Sequence, residues 1–407
     1  MAGTGKVDRF LAVWITVPIF LGYSTYFFPY SLKSFFSPIT MIAVSVFFYI
    51  LFSFLTKPRF NFVPELRILI LFFLVLFIGL LYTNALKYGS DKLNILFAWV
   101  FLFYLYGFII INNFDLFVKA TFFSGAVFLF LLFNKFGDPI TFFKSMQGEI
   151  VRLGVTKSDD NEDYLLNPIW VARYLGFLFL IALYSLKKGK INYLTYAYLL
   201  CIFLYMITSG SKGPIFALIV ASLIFFADSR LSKNMRNIII FIFICLGVLV
   251  LLNFIDFFSS SFFISRFSGE SSSGAEREDL IGVALEYRGL GSFFWGTGTG
   301  NFGYIMSQRD TRAYPHNIFA ELYCENGIIG ASFILVMLYS VVRKYTLIFK
   351  NRTLKLLCAL FIFFFLNALF SGDLFSNEYL FIFFILFHYE AKMVTKEEEF
   401  MLMLNTA

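Results

Sequence analysis

Charge is scarce in this chain. Asp, Glu, Lys and Arg together make up 14% of its 407 residues, where soluble domains carry roughly a quarter. So little charge excludes an ordinary water-exposed surface. Histidine occurs only twice, at 316 and 388, which leaves few groups able to exchange a proton near neutral pH. The four cysteines, Cys201, Cys245, Cys324 and Cys358, lie in apolar helix-like segments without CxxC spacing; they read as packing residues rather than disulfides or metal ligands. There is no GxxxxGK[ST] loop, no HExxH and no acidic pair with a metal partner, so neither a cofactor nor a metal is expected.

What fills the chain instead is apolar: 59% hydrophobic residues, 21% aromatic, and a mean hydropathy of +0.78. That composition indicates an all-α integral membrane protein forming one polytopic domain over 1–407. Since a bilayer core needs roughly 20 apolar residues per helix, about twelve spans are expected, near 10–29, 37–56, 64–83, 93–112, 115–134, 167–186, 190–208, 213–229, 236–257, 320–342, 353–370 and 374–391. The first span is long, contains Pro18 and lacks a small-residue cleavage site, so it reads as a retained helix.

Basic residues fix an orientation. With Lys6 and Arg9 in the cytoplasm, alternate connections carry Lys57 and Arg59; Lys187, Lys188 and Lys190; Arg230, Lys233 and Arg236; then Arg343, Lys344, Lys350, Arg352 and Lys355. Both termini are then cytoplasmic by the positive-inside rule. The net charge of +7 is scattered between spans, not striped along one soluble face, so no nucleic-acid partner is expected. Two long connections, 135–166 and 258–319, fall outside, as does the turn TSGSKGP at 208–214.

The larger, partly helical outer loop contains Arg266, Arg277, Arg288, Arg309 and Arg312 and no lysine over 258–315. Guanidinium forks suit phosphate oxygens; the plainer alternative is solvated charge paired with Glu270, Glu276, Glu278, Asp279 and Glu286. WGTGTGNFG at 295–303 superficially resembles a dinucleotide fingerprint but has no βαβ context, so its glycines are expected to allow tight turns. In AYPHNIFAELYCENGIIG, 313–330, Pro315 restricts Tyr314 and marks a helix boundary, so His316 and Asn317 are expected in the first helical turn. His316, Ala320, Tyr323, Gly327 and Gly330 would line one stripe, and Asn317, Glu321 and Glu325 another. His316 can act as a general base or be a capping residue, while Glu321 and Glu325 should pair with outer arginines or polar backbone. Lys212 is either a phosphate contact or a snorkelling lysine. Arg152, Asn167 and Arg173 are weaker sugar or phosphate candidates, and His388 reads as interfacial.

His316 and Asn317, nine residues, Gly327, two residues and Gly330 match the H[NSQ]x9GxxG pattern of the O-antigen ligase and polymerase superfamily, which the chain thus resembles over 200–335. TSGSKGP is similar to its TxSRG turn, SSGAEREDL around Arg277 to its SxxR segment, and GTGTGNF to its GxGxGNF turn. The resemblance implies a membrane glycosyltransferase that moves a glycan from an undecaprenyl diphosphate carrier to an acceptor hydroxyl in the periplasm. It implies His316 as base and Arg277 as diphosphate contact, joined by Lys212 and Arg288, with Tyr314, Asn317, Glu321, Glu325, Gly327 and Gly330 in support. Lys212 stands where the pattern has arginine and lacks the bidentate fork. A polymerase is favoured over a ligase because Lys212 and the 135–166 loop depart from the ligase pattern; a flippase and a chain-length regulator of the same pathway would be partners. A transporter would need broken helices or repeats around a midplane site, and neither is evident.

Overall fold

The computed structural model describes residues 4–16, 38–56, 63–138, 167–186, 193–209, 211–226, 272–286 and 289–406. Every described element is helical: α1 (Thr4–Trp14), α2 (Pro38–Thr56), a short 3-10 turn leading into α3 (Arg67–Leu80), α4 (Leu86–Asn112), α5 (Phe114–Phe136), α6 (Pro168–Leu186), α7 (Tyr193–Thr208), α8 (Lys212–Phe226), α9 (Ser272–Leu285), α10 (Leu290–Trp295), α11 (Phe302–Ser307), α12 (Ile318–Val342), α13 (Tyr345–Lys350), α14 (Arg352–Phe370) and α15 (Glu378–Thr406). Lipid offers the backbone no hydrogen bonds, so an apolar chain satisfies its own amides by coiling.

Five of these helices, α4, α5, α6, α12 and α14, are long and apolar enough to cross a bilayer. Shorter apolar helices include Tyr193–Thr208 and Lys212–Phe226, and α15 carries several charged residues along its length. The span expected at 236–257 and most of that at 10–29 lie outside the described residues. The protein is a multi-pass helical membrane protein with five such spans among the described residues, against the twelve expected from hydropathy.

Burial separates the centre from the rim. The hydrophobic window of α6 is 83% buried, whereas that of α5 is 39% buried, so α6 runs through the middle and α5 turns much of its surface outward. Phenylalanines join the central helices: Phe364 stacks on Phe383 with centroids 5.5 Å apart, and Phe72 on Phe381 at 5.5 Å. The abundant aromatics are therefore inter-helix packing as well as outward-facing surface. Cys324 and Cys358 are buried.

The two ends of the bundle carry different polar contacts. At one end Glu65 meets Lys344 at 2.7 Å and Arg343 at 3.4 Å, joining the connection before α3 to that after α12. At the other end the turn 371–377 meets the segment before α12 and the start of α4. His388 is not interfacial: it is 0% exposed, with its Nε2 3.1 Å from the Ser340 hydroxyl. Continuation of α15 to Thr406 keeps that position within the packed bundle.

Candidate active site

α12 begins differently from the expectation. Asn317 is the residue before its first turn, in an extended conformation, and its side chain accepts from the amides of Phe319 and Ala320, satisfying donors that a helix start leaves bare. Asn317 Nδ2 also donates to the Leu369 carbonyl at 3.1 Å, which ties the start of α12 to the end of α14. His316 therefore precedes the helix, in a left-handed conformation with φ 58°. Non-glycine residues adopt that region at a cost and only where surroundings enforce it. Here Pro315 on one side and the anchored Asn317 on the other hold the ring out of the helical stripe predicted for it.

The stripe is also interrupted below. Gly327 has φ 65°, ψ −166° and breaks α12 in mid-course. A side chain there would run into the Phe294 carbonyl, and one at Gly296 into the backbone of Glu325. Glycine at both places lets the two chain segments touch backbone to backbone. The carbonyls released by the kink are taken up: Thr297 N donates to Cys324 O at 2.9 Å and Gly298 N to Glu325 O at 2.8 Å. Thr299 then donates through its hydroxyl to Leu76 O at 2.8 Å. As expected, the glycines of 295–303 serve turns: Gly296, Gly298 and Gly300 all have positive φ.

Glu321 and Glu325 lie one turn apart and do face the same way, but among the described residues their charged partner is a lysine and not an outer arginine. Lys92 of α4 reaches between them, 2.6 Å from Glu321 and 2.8 Å from Glu325, with all three side chains 0% exposed. Glu321 Oε2 also accepts from the Leu374 amide at 2.8 Å, so the expected backbone partner is present for one of the two. A charge at this depth needs an opposite charge beside it. Lys92 was missed because it looks like a residue at the mouth of a span. The signal was available in reverse, since two acids on one face of an apolar helix demand a cation.

Next to this cluster, Asp373 accepts from Arg312 Nε at 3.0 Å, Arg312 Nη2 at 3.1 Å and the Tyr88 hydroxyl at 2.5 Å. Burial opposes ionisation of Asp373, but Arg312 and Lys92 outweigh it and hold the carboxyl below its ordinary range.

The other candidates distribute unevenly. α9 packs beside α12, with Ala284, Ala320 and Cys324 in one small buried cluster. Arg277 on that helix is half-buried and acts on His316: burial first, then the Arg277 cation, push the imidazole down to about 4. His316 is thus neutral at pH 7. Its Nδ1 is buried with no hydrogen-bond partner among the described residues, and its ring lies 4.6 Å from that of Tyr314. Lys212 is exposed at the start of α8; the adjacent Gly213 and Phe216 pack on Phe370 at the end of α14, the end that Asn317 also grips. Arg309 is exposed. Arg152, Arg266 and Arg288 lie outside the described residues.

Two weaker candidates are structural. Asn167 caps α6, accepting from the Ile169 amide at 3.0 Å. Arg173 is 2% exposed and donates to the carbonyls of Asn367, Ser371 and Ser376 and to Asn377 Oδ1, fastening the chain after α14.

A buried ionic cluster close to a histidine, at one end of an apolar helix bundle, is the candidate site of a multi-pass membrane protein. The O-antigen ligase family model matches residues 197–335, about a third of the chain, and it is to that family that this region is similar. The match includes Lys212, Arg277, His316 and the first part of α12. No curated protein matches the chain.

Proposed function

We propose that this protein is an O-antigen polymerase: it transfers a glycan from undecaprenyl diphosphate to a sugar hydroxyl of another lipid-linked repeat unit. The site would face the periplasm from the inner membrane, with both termini in the cytoplasm, consistent with the distribution of Lys and Arg between spans. The single observation that carries the proposal is His316, held just before α12 in a left-handed conformation, with the cation of the half-buried Arg277 acting on its ring.

A diphosphate-linked sugar already carries its leaving group. His316 removes the proton from the acceptor hydroxyl as its oxygen attacks the anomeric carbon. The bond from that carbon to phosphate oxygen breaks, and the electron pair leaves with the diphosphate. Arg277 and Lys212, with Arg288 from the same outer loop, stabilise the departing charge, so the displacement is direct, inverting and independent of metal. Tyr314 borders the histidine, while Asn317, Glu321, Glu325, Gly327 and Gly330 support α12 beneath it. A flippase and a chain-length regulator would act in the same pathway.

Ligase activity towards lipid A-core is the second reading, favoured by the description of the matching family. Complementation of a strain lacking the gene separates the two. If deletion leaves core plus one repeat and the wild-type gene restores a ladder, the protein is a polymerase. Bare core with accumulating lipid-linked polymer makes it the ligase. Full activity in His316→Ala would sink the base assignment under either reading.

A further inference from the structure

Arg312 holds a position that charge neutralisation alone does not require. Its Nε and Nη2 clasp both oxygens of Asp373 at 3.0 and 3.1 Å, and Asp373 itself cannot swing. The Tyr88 hydroxyl holds one of its oxygens, and the amide and hydroxyl of Ser376 hold the other at 3.0 and 2.6 Å. Above the carboxylate, the guanidinium lies 5.7 Å from the Tyr314 ring and 4.9 Å from the Phe375 ring. Lysine in that place could neutralise Asp373 but could not form the flat, double-bonded fork.

The fork uses two of the five N–H donors of arginine. The remaining donors have no hydrogen-bond partner among the described residues, and the side chain is 40% exposed while its partner carboxylate is 0% exposed. In a planar guanidinium engaged through Nε and Nη2, Nη1 points away from the carboxylate. It is therefore a rigid donor edge presented at the bundle end, four residues before His316 in sequence.

We infer that Arg312, oriented by the buried Asp373, is an oxyanion donor of the active site and contacts the diphosphate of the lipid-linked substrate. The inference deepens the proposed transfer reaction and rests on it for the identity of the anion. Asp373 is a positioning residue, since it reaches the ligand only through Arg312. A donor fixed before the ligand arrives loses little conformational freedom on binding, which favours affinity for a tetrahedral oxyanion.

The test is binding of undecaprenyl diphosphate to the full chain in detergent, with thermal unfolding as the check on folding. Arg312→Lys keeps a cation beside Asp373 and removes the fork. The double variant Arg312→Gln/Asp373→Asn removes both charges, so no buried carboxylate is stranded. Each is expected to weaken binding at least about tenfold, the size of one lost charge-assisted contact. Undecaprenyl monophosphate, which offers fewer oxygens, should be affected less. If both variants fold and bind the diphosphate within twofold of wild type, Arg312 is only a counterion and the inference is overturned. Binding and turnover judge different claims. Should the wild type fail to transfer glycan while diphosphate affinity still depends on Arg312, the transfer reading falls and the anion site stands. Unchanged affinity in the variants removes the site even if His316 proves essential.

Discussion

The Nζ of Lys92 lies 2.6 Å from Oε1 of Glu321, across 229 residues of sequence, and neither side chain is exposed. With Glu325 completing the cluster at 2.8 Å, one ammonium faces two carboxyl groups. Removing the cation leaves acids buried without compensation, whereas removing a carboxyl leaves a simple pair. Lys92→Met should therefore cost on the order of 3–5 kcal/mol of stability, and Glu325→Gln much less. Thermal unfolding in detergent would measure both. Equal losses in the two variants would mean that charge balance is not what the cluster provides.

How much of this site was legible follows from the reach of each interaction. The helix boundary near 315 could be found because a proline acts on its immediate neighbours, but Asn317, expected inside the first turn, is the cap before it. The stripe expected from His316 to Gly330 fails at both ends, since His316 precedes the helix and Gly327 breaks it. Lys92 and Asp373 acquire their roles only when α4, α12 and the turn after α14 come together. In sequence Lys92 is an ordinary lysine near a span end, and Asp373 an ordinary turn aspartate with its own capping box to Ser376. The helical class was readable from composition because lipid constrains backbone so strongly. Of the twelve spans expected, five coincide with helices among the described residues that are long and apolar enough to cross a bilayer.

Asn317 performs two tasks that one substitution can separate. An aspartate keeps an oxygen to accept from the Phe319 and Ala320 amides but cannot donate to Leu369 O. Asn317→Ala loses both, with a cap alone contributing about 1 kcal/mol. The expected order of stability is wild type, then Asn317→Asp, then Asn317→Ala. A better cap in the aspartate variant could offset part of its loss, so turnover is the sharper measure: both variants should slow transfer if the link to α14 positions His316.

Gly327→Ala should be among the most damaging small substitutions in the chain. The residue sits at φ 65° with the Phe294 and Trp295 backbone against it, so a methyl group meets backbone that has no room to yield. The conformational cost alone is about 1–3 kcal/mol. Displacement of α10 would also withdraw Thr297 and Gly298 from the carbonyls of Cys324 and Glu325. Expression, unfolding temperature and activity are expected to fall together, and a fully active variant of unchanged stability would show that the close approach is dispensable.

The pH behaviour follows from burial of His316 beside Arg277, which lowers its pKa from 6.5 to about 4. For stability the sign is fixed. Above pH 6.5 the residue is neutral whether the chain is folded or not; as pH falls towards 4 the unfolded chain takes the proton first, so folded stability declines. Asp373 acts in the same direction at lower pH, because its carboxyl is held below 3.8 in the fold and the stability it contributes is lost as it protonates. For catalysis the base must be unprotonated, so the acid limb of kcat/KM, which reports free enzyme, should lie near pH 4. Bound diphosphate brings negative charge that favours the imidazolium, so the acid limb of kcat should lie at higher pH than that of kcat/KM. A histidine too weak as a base when empty is thus strengthened by the substrate it serves. Arg277→Gln removes a cation and should likewise move the kcat/KM limb upward. Measured pH profiles whose acid limbs coincide, and which Arg277→Gln leaves in place, would separate His316 from the proton transfer.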